Sequence, residues 1–208
     1  MDDIRQILNF LESQGVIEDA DSALKKITDT TGISDGTAAA VQTLQEIIAG
    51  MELQGVFTFE ARRNGSLLWR EETPNLVTNV GLNYALDATL NGATQSATFY
   101  VGLVDGSPSF AQGDTMGSHP GWTENEAYSE GNRVEWTNNP VSGQSIDNAG
   151  SEASFSINAS TTIAGAFLVD DNTKGGTSGT LFAEGSFSTT RNLENGDTLN
   201  VEYTINAS

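Results

Sequence analysis

A chain of 208 residues carrying 28 acidic and 9 basic side chains, for a formal net charge of -19, repels a DNA or RNA backbone over most of its surface, so no nucleic-acid partner is expected. The absence of cysteine excludes disulfides, thiolate catalysis and thiolate metal sites, and leaves packing alone to hold the fold. No run approaches the ~18 apolar residues of a membrane span, and the opening MDDIRQILNFLESQG has no basic region like that of a signal peptide, so neither membrane insertion nor secretion is expected.

Residues 1–52 carry a helical pattern. Ile4, Ile7, Leu8 and Leu11 fall at helical spacing behind Asp2 and Asp3, with Gly15 placed to end the helix. A second helix is expected from Asp19 or Asp21 through Leu24 and Ile27 to Gly32, and a third from Ser34 or Asp35 through Val41, Leu44 and Ile48 to Met51. Helices this short are marginal alone, and their narrow apolar stripes need cover. Two readings stand side by side: a small self-contained helical bundle, or a docking or oligomerisation device. On the second, Ile4, Ile7, Leu8, Leu11, Val41, Leu44 and Ile48 are the partner-contact residues.

The period then changes from helical to two, which sets off residues 53–208 as a second domain. Phe57, Phe59 and Ala61 alternate up to Asn64-Gly65, and Leu67, Trp69 and Glu71 continue beyond it. Asn-Gly supplies the positive φ angles of a type I′ turn, which predicts a hairpin. Pro74 breaks the ladder, and Thr78 is placed to cap a helix carrying Leu82, Leu86 and Leu90, with Gly92 past its end. That helix is expected to cross the sheet. In Phe99–Val104 both alternating sets are apolar or small, which predicts a central strand covered on both faces. Further strands are predicted at Phe155 and Ile157, at Ile163–Val169, from Leu181 to Phe187, and at Leu199–Ile205 with one wet face; Asn195-Gly196 suggests a last hairpin. Short strands separated by Gly, Asn and Ser turns make the fold mainly β: an antiparallel β-sandwich, jelly-roll or Ig-like, with one crossing helix, preceded by the N-terminal helical segment.

Between Asp105 and Trp136 lies a long loop, rich in glycine and acid, that holds the single histidine, His119, with Trp122. His119 near Asp114, Glu124 and Glu126 suggests a general base. A lone histidine among turn residues, without a nucleophile motif or a second histidine, is better read as making local hydrogen bonds. Glu124 and Glu126 could pair as glycosidase acids beside a Trp122 sugar platform, but carboxylates two apart abound in so acidic a chain. Trp122 is instead expected to be buried and to fix the loop on the sandwich. Asp170-Asp171-Asn172 and Asn195-Gly196-Asp197 miss the spacing of a calcium loop and are read as turns formed by their side chains. Lys174-Gly175-Gly176-Thr177 lacks the order of a phosphate loop. The residues therefore assign no catalytic set, metal or cofactor.

One set of segments carries a likeness to known proteins. They are Trp69-Arg70-Glu71, Asn75-Leu76-Val77-Thr78, Gly81-Leu82-Asn83-Tyr84, Tyr100-Val101-Gly102-Leu103-Val104-Asp105 and Gly113-Asp114-Thr115-Met116. Ser118-His119-Pro120-Gly121-Trp122-Thr123-Glu124, Ala127-Tyr128-Ser129-Glu130 with Arg133, Thr173-Lys174-Gly175-Gly176-Thr177 and Gly196-Asp197-Thr198-Leu199-Asn200-Val201 complete it. Over about three quarters of its length the chain resembles the capsid cement, or head-decoration, proteins of tailed bacteriophages. The resemblance implies a virion structural protein, made in the host cytoplasm, that binds the outside of the assembled head. There it would bridge major capsid proteins, as a homotrimer at local threefold positions, with no enzymatic activity. A tail or tail-fibre component is the alternative within the same class, and a carbohydrate-binding module or glycosidase the alternative outside it.

Overall fold

The computed structural model describes residues 53–207; the three helices expected over residues 1–52 lie outside them. The first sheet contains β1 (Leu53–Arg63), β2 (Ser66–Pro74), β7 (Ser145–Ile146), β8 (Ala153–Ser156) and β11 (Thr198–Ala207). The second contains β3 (Leu76–Val77), β4 (Tyr100–Asp105), β5 (Thr123–Asn125), β6 (Val134–Glu135), β9 (Thr161–Val169) and β10 (Leu181–Leu193). A helix, α1 (Asn79–Leu90), joins β3 to β4. All strand pairs are antiparallel, and the two sheets share one apolar core, so the fold is the predicted β-sandwich.

The period of two builds the first sheet directly. Phe57, Phe59 and Ala61 of β1 are fully buried, as are Leu199, Val201 and Tyr203 of β11, while Thr58, Glu60, Asn200 and Glu202 between them face outward. Phe57 pairs with Tyr203 in register and the two rings stack with centroids 4.1 Å apart. Asn64 and Gly65 take φ of 50° and 79°, both positive as the predicted β1–β2 turn requires. The short strands β8 and β7 pair with the two ends of β11 and leave its middle uncovered. Asn148 fills that gap: its side chain accepts the Tyr203 N–H at 2.7 Å and donates to the Val201 carbonyl at 3.2 Å, standing in for a strand residue.

In the second sheet the order is β3-β10-β9-β4-β5, with β6 also on β4. Val101–Val104 are all buried, so β4 is the doubly covered interior strand expected. Inward, Val101 and Leu103 join Phe155, Ile163 and Leu168 in the shared core; outward, Val104 joins Phe167, Val169 and Leu181 in a second apolar cluster.

Two expectations are corrected. Asn195-Gly196 does not close a hairpin: β10 belongs to one sheet and β11 to the other, so the turn carries the chain across the sandwich. Alternation identifies strands without saying which sheet they join. Thr78 does cap α1, its Oγ1 accepting the Gly81 N–H at 3.0 Å. The helix nevertheless seats itself by Gly81, whose missing side chain lets the Phe182 carbonyl approach, with Leu82, Tyr84 and Ala85 half-buried. Leu86 and Leu90 stay exposed, at 47% and 78%. Of the i, i+4 leucines only Leu82 packs, and the stripe as a whole is not the buried face.

Candidate functional site

Residues 106–122 form an irregular layer over the outer face of the second sheet. The layer is tied to itself and to the sandwich by backbone bonds, from Ser109 N–H to the Gly121 carbonyl (2.9 Å), from Asn79 N–H to the Gln112 carbonyl (2.8 Å) and reciprocally between Thr115 and Ser118 (3.0 Å each). Met116 and Trp122 drive it down by burying against Val104, Phe167, Val169 and Leu181. Trp122 is 5% exposed, 4.9 Å from Phe167 between ring centroids, with Phe110 set edge-on at 6.0 Å. The expected fixing role of Trp122 is what the structure displays. No ring face is left for a sugar platform.

His119 stacks on that indole at 3.8 Å, and its Nδ1–H donates to the Trp122 carbonyl at 3.0 Å. Asp114 is buried beneath the loop, where Oδ2 accepts the Trp122 indole N–H at 3.2 Å and the Ala111 N–H at 3.3 Å. Glu184 of β10, which the sequence reading did not single out, lies fully buried beside them. Neither of its oxygens makes a formed hydrogen bond; around it stand the Asp114 carboxyl, the Trp122 indole and the Ala111 N–H. Burial first, then the Asp114 charge, raises the Glu184 carboxyl to about 8.

The two proposed glycosidase acids part company. Glu124 is held by Arg133, whose Nε and Nη2 reach its carboxylate at 3.0 and 2.7 Å, while Glu126 is exposed. The Arg133 side chain is completely buried. It donates further to the Asp171 and Gly176 carbonyls at 3.0 and 2.7 Å and lies 5.1 Å over the Phe167 ring. On β4, Gly102 leaves the space that Phe167 occupies, since a Cβ there would stand 2.2 Å from the ring. Lys174 donates to the Tyr128 and Glu130 carbonyls at 2.9 and 2.6 Å and covers the buried Tyr128 ring. Burial, and secondarily the charge of Glu124, raises the Tyr128 phenol above its ordinary value.

Of the candidate calcium residues, Asp171 and Asp197 make the expected local turn bonds, Asp197 accepting the Glu194 N–H at 2.8 Å, while Asp170 ties together segments distant in the chain. Asp170 accepts from Thr180 N–H and Ser96 Oγ, each at 2.6 Å. Asp171 accepts from Thr173 N–H at 2.9 Å, and this bond holds its carboxyl below the usual range. Asp197 is chelated by Arg63 at 2.6 and 2.7 Å, which likewise lowers it. Among the described residues, no three His, Cys, Asp or Glu side chains are grouped to hold a metal.

Ile4, Ile7, Leu8, Leu11, Val41, Leu44 and Ile48, the expected partner contacts, lie outside the described residues. Arg133 carried a signal in the sequence as a lone base in an acidic stretch. Glu184 carried none, because one glutamate in an alternating strand reads as outward-facing. Comparison of the chain with protein-family models and with curated proteins finds no match.

Proposed function

We propose that this chain is a head-decoration protein of a tailed bacteriophage, binding the outside of the assembled capsid and bridging major capsid proteins as a homotrimer. The carrying observation is that the segments of likeness converge. Gly102, Asp114, Trp122, Glu124, Tyr128 and Arg133 join Lys174 and Gly176, some forty positions further on, to build the sheet, loop and ion-pair network. The resemblance thus rests on residues that make an architecture. The side chains suited to acid–base chemistry are drawn into it, His119 by stacking and Glu124 by Arg133. That favours docking by shape over turnover, and an acidic surface would not compete for packaged DNA.

The test mixes purified full-length chain with undecorated heads, followed by sedimentation and particle reconstruction. Cosedimentation at head-lattice stoichiometry, with density over capsid threefold positions, is expected. Binding at tail stoichiometry would move the chain to the tail or fibre, and absence of binding would refute the proposal. Leu8→Asp and Leu44→Asp in the full chain then examine the docking role of residues 1–52. Both should abolish cosedimentation while leaving the strand-dominated circular dichroism spectrum intact. Undiminished binding would return that segment to an ordinary helical subdomain.

A further inference from the structure

We propose that Asp114 and Glu184 form a proton-sharing carboxyl pair that latches the 106–122 layer onto the second sheet, and that loss of the shared proton favours opening of the layer. The geometry is a two-sided clasp. Asp114 comes from the irregular layer and Glu184 from β10 beneath it; both are buried, at 5% and 0% exposure, and the Trp122 indole and Ala111 N–H that donate to Asp114 also stand beside Glu184. Asp114 spends Oδ2 on the Trp122 indole and the Ala111 N–H. The two oxygens of Glu184 make no bond of their own, so on this proposal a proton carried by Glu184 is donated to the Asp114 carboxylate beside it. A protonated carboxyl donating to a carboxylate satisfies both groups, whereas two ionised carboxylates out of water repel and stay unsolvated.

The charges facing Glu184 are few. From the layer come Asp114 and, as dipoles, the Trp122 and Ala111 N–H groups. From β9 comes the uncharged Phe167 ring, with the paired Arg133 and Glu124 beyond it. From α1 the neighbour of this cluster is Val80. His119 lies on the Trp122 ring as the other titratable group of the layer. None of these is a free cation that would hold a Glu184 carboxylate in place, and the surrounding N–H donors disfavour a bound metal ion. Opening lets the proton pass from Glu184 to solvent base, and both carboxylates then hydrate. The apolar surface of Phe167, Val169 and Leu181 is uncovered with them.

The sign follows from linkage. In the closed state the carboxyl titrates near 8, and once open it returns to its ordinary value of 4.5. Closure therefore binds a proton across this interval, and the opening equilibrium rises about ten-fold per pH unit within it and levels off above it.

Hydrogen exchange by mass spectrometry on the full chain from pH 5 to 9.5, corrected for intrinsic exchange, reads this directly. Protection of residues 106–122 should fall with that slope and then plateau, with β1 and β11 unaffected, and Glu184→Gln should abolish the slope. A slope that persists in Glu184→Gln, that is absent from the parent, or that is shared equally by β1 and β11 overturns the proposal. So does a slope lost in His119→Gln, which would make the histidine the sensor, or one that calcium flattens and a chelator restores, which would make the pair a cation site. Should Glu184→Gln fail to fold, carboxyl carbon NMR of the parent decides: a Glu184 midpoint near 8 supports the latch, and one near 4.5 refutes it.

Discussion

The two sheets of the sandwich are stabilised in different ways. The first buries one face and wets the other, and its strands β1 and β11 owe their place to a period of two repeated over ten registered pairs, from Leu53↔Ala207 to Arg62↔Thr198. The second is covered twice, inward by the first sheet and outward by a layer with almost no regular structure. Periodic burial spreads stability over many equivalent side chains. The outer face of the second sheet concentrates it in a few contacts that have no substitute: one indole, one buried guanidinium, one carboxyl pair and one absent side chain.

That difference is sharpest where the outer layer loses a unique group. Arg133→Ala should be among the most damaging single changes, at about 3–5 kcal/mol, because Glu124 would remain buried without its cation. Trp122→Ala should cost a similar amount, about 3–5 kcal/mol, by emptying the centre of the second cluster. Chemical denaturation measures both. A Trp122→Ala variant melting within about a degree of the parent would mean that the layer contributes little, contrary to the burial argument.

Gly102→Ala follows at about 1–3 kcal/mol, since the added methyl has to displace Phe167 from beneath Trp122 and Arg133. Its comparator is Asn200→Ser on the wet face of the first sheet, expected within about 0.5 kcal/mol of the parent. Equal losses at the two sites would erase the distinction between the layers.

The same contrast explains what the sequence disclosed. The β1–β2 hairpin, the half-wet β11, the doubly covered β4 and the Thr78 cap were all legible, because each rests on a local pattern or on the chemistry of one turn. The crossing of the chain at Asn195-Gly196 was not, since a turn between sheets and a turn within one use the same residues. The exposure of Leu86 and Leu90 was hidden for a related reason: the helix is seated by Gly81 against the Phe182 carbonyl, a contact far apart in the chain. In the candidate site, the burial of Trp122 and the local role of His119 could be anticipated from a tryptophan and a lone histidine among turn residues. The partnership of Asp114 with Glu184, 70 positions apart by their numbering, could not, because nothing in either neighbourhood points to the other.

His119→Ala tests the edge of the layer, where the imidazole stacks on the indole and donates to one carbonyl. The expected loss is about 1 kcal/mol, the range of one aromatic stack or one net hydrogen bond, with decoration of heads unchanged. If the variant kept its fold but lost an enzymatic turnover, the structural reading of this histidine would fail.

A small effect, and a gain instead of a loss, is expected on the wet face of the first sheet, at Glu202. Its side chain lines a polar depression of about 420 Å³ with Thr58, Glu60, Arg70, Glu152 and Asn200. Partial burial, then the charges of Glu152 and Asp147, raises its carboxyl above the ordinary value, while Arg70 pulls the other way. A carboxyl raised in the folded state leaves stability intact when protonated and removes some as pH rises through its folded value. Glu202→Gln should therefore match the parent near pH 4 and become slightly more stable by pH 7, by less than about 1 kcal/mol because solvent screens so open a group. Added salt should shrink even that difference, since repulsion among Glu202, Glu152 and Asp147 crosses water. Thermal melts of both proteins at the two pH values, each at low and high salt, measure it. A gain as large as the losses at Arg133 or Trp122 would show that the first sheet also hangs on singular contacts, and the contrast between the two faces of the sandwich would not survive.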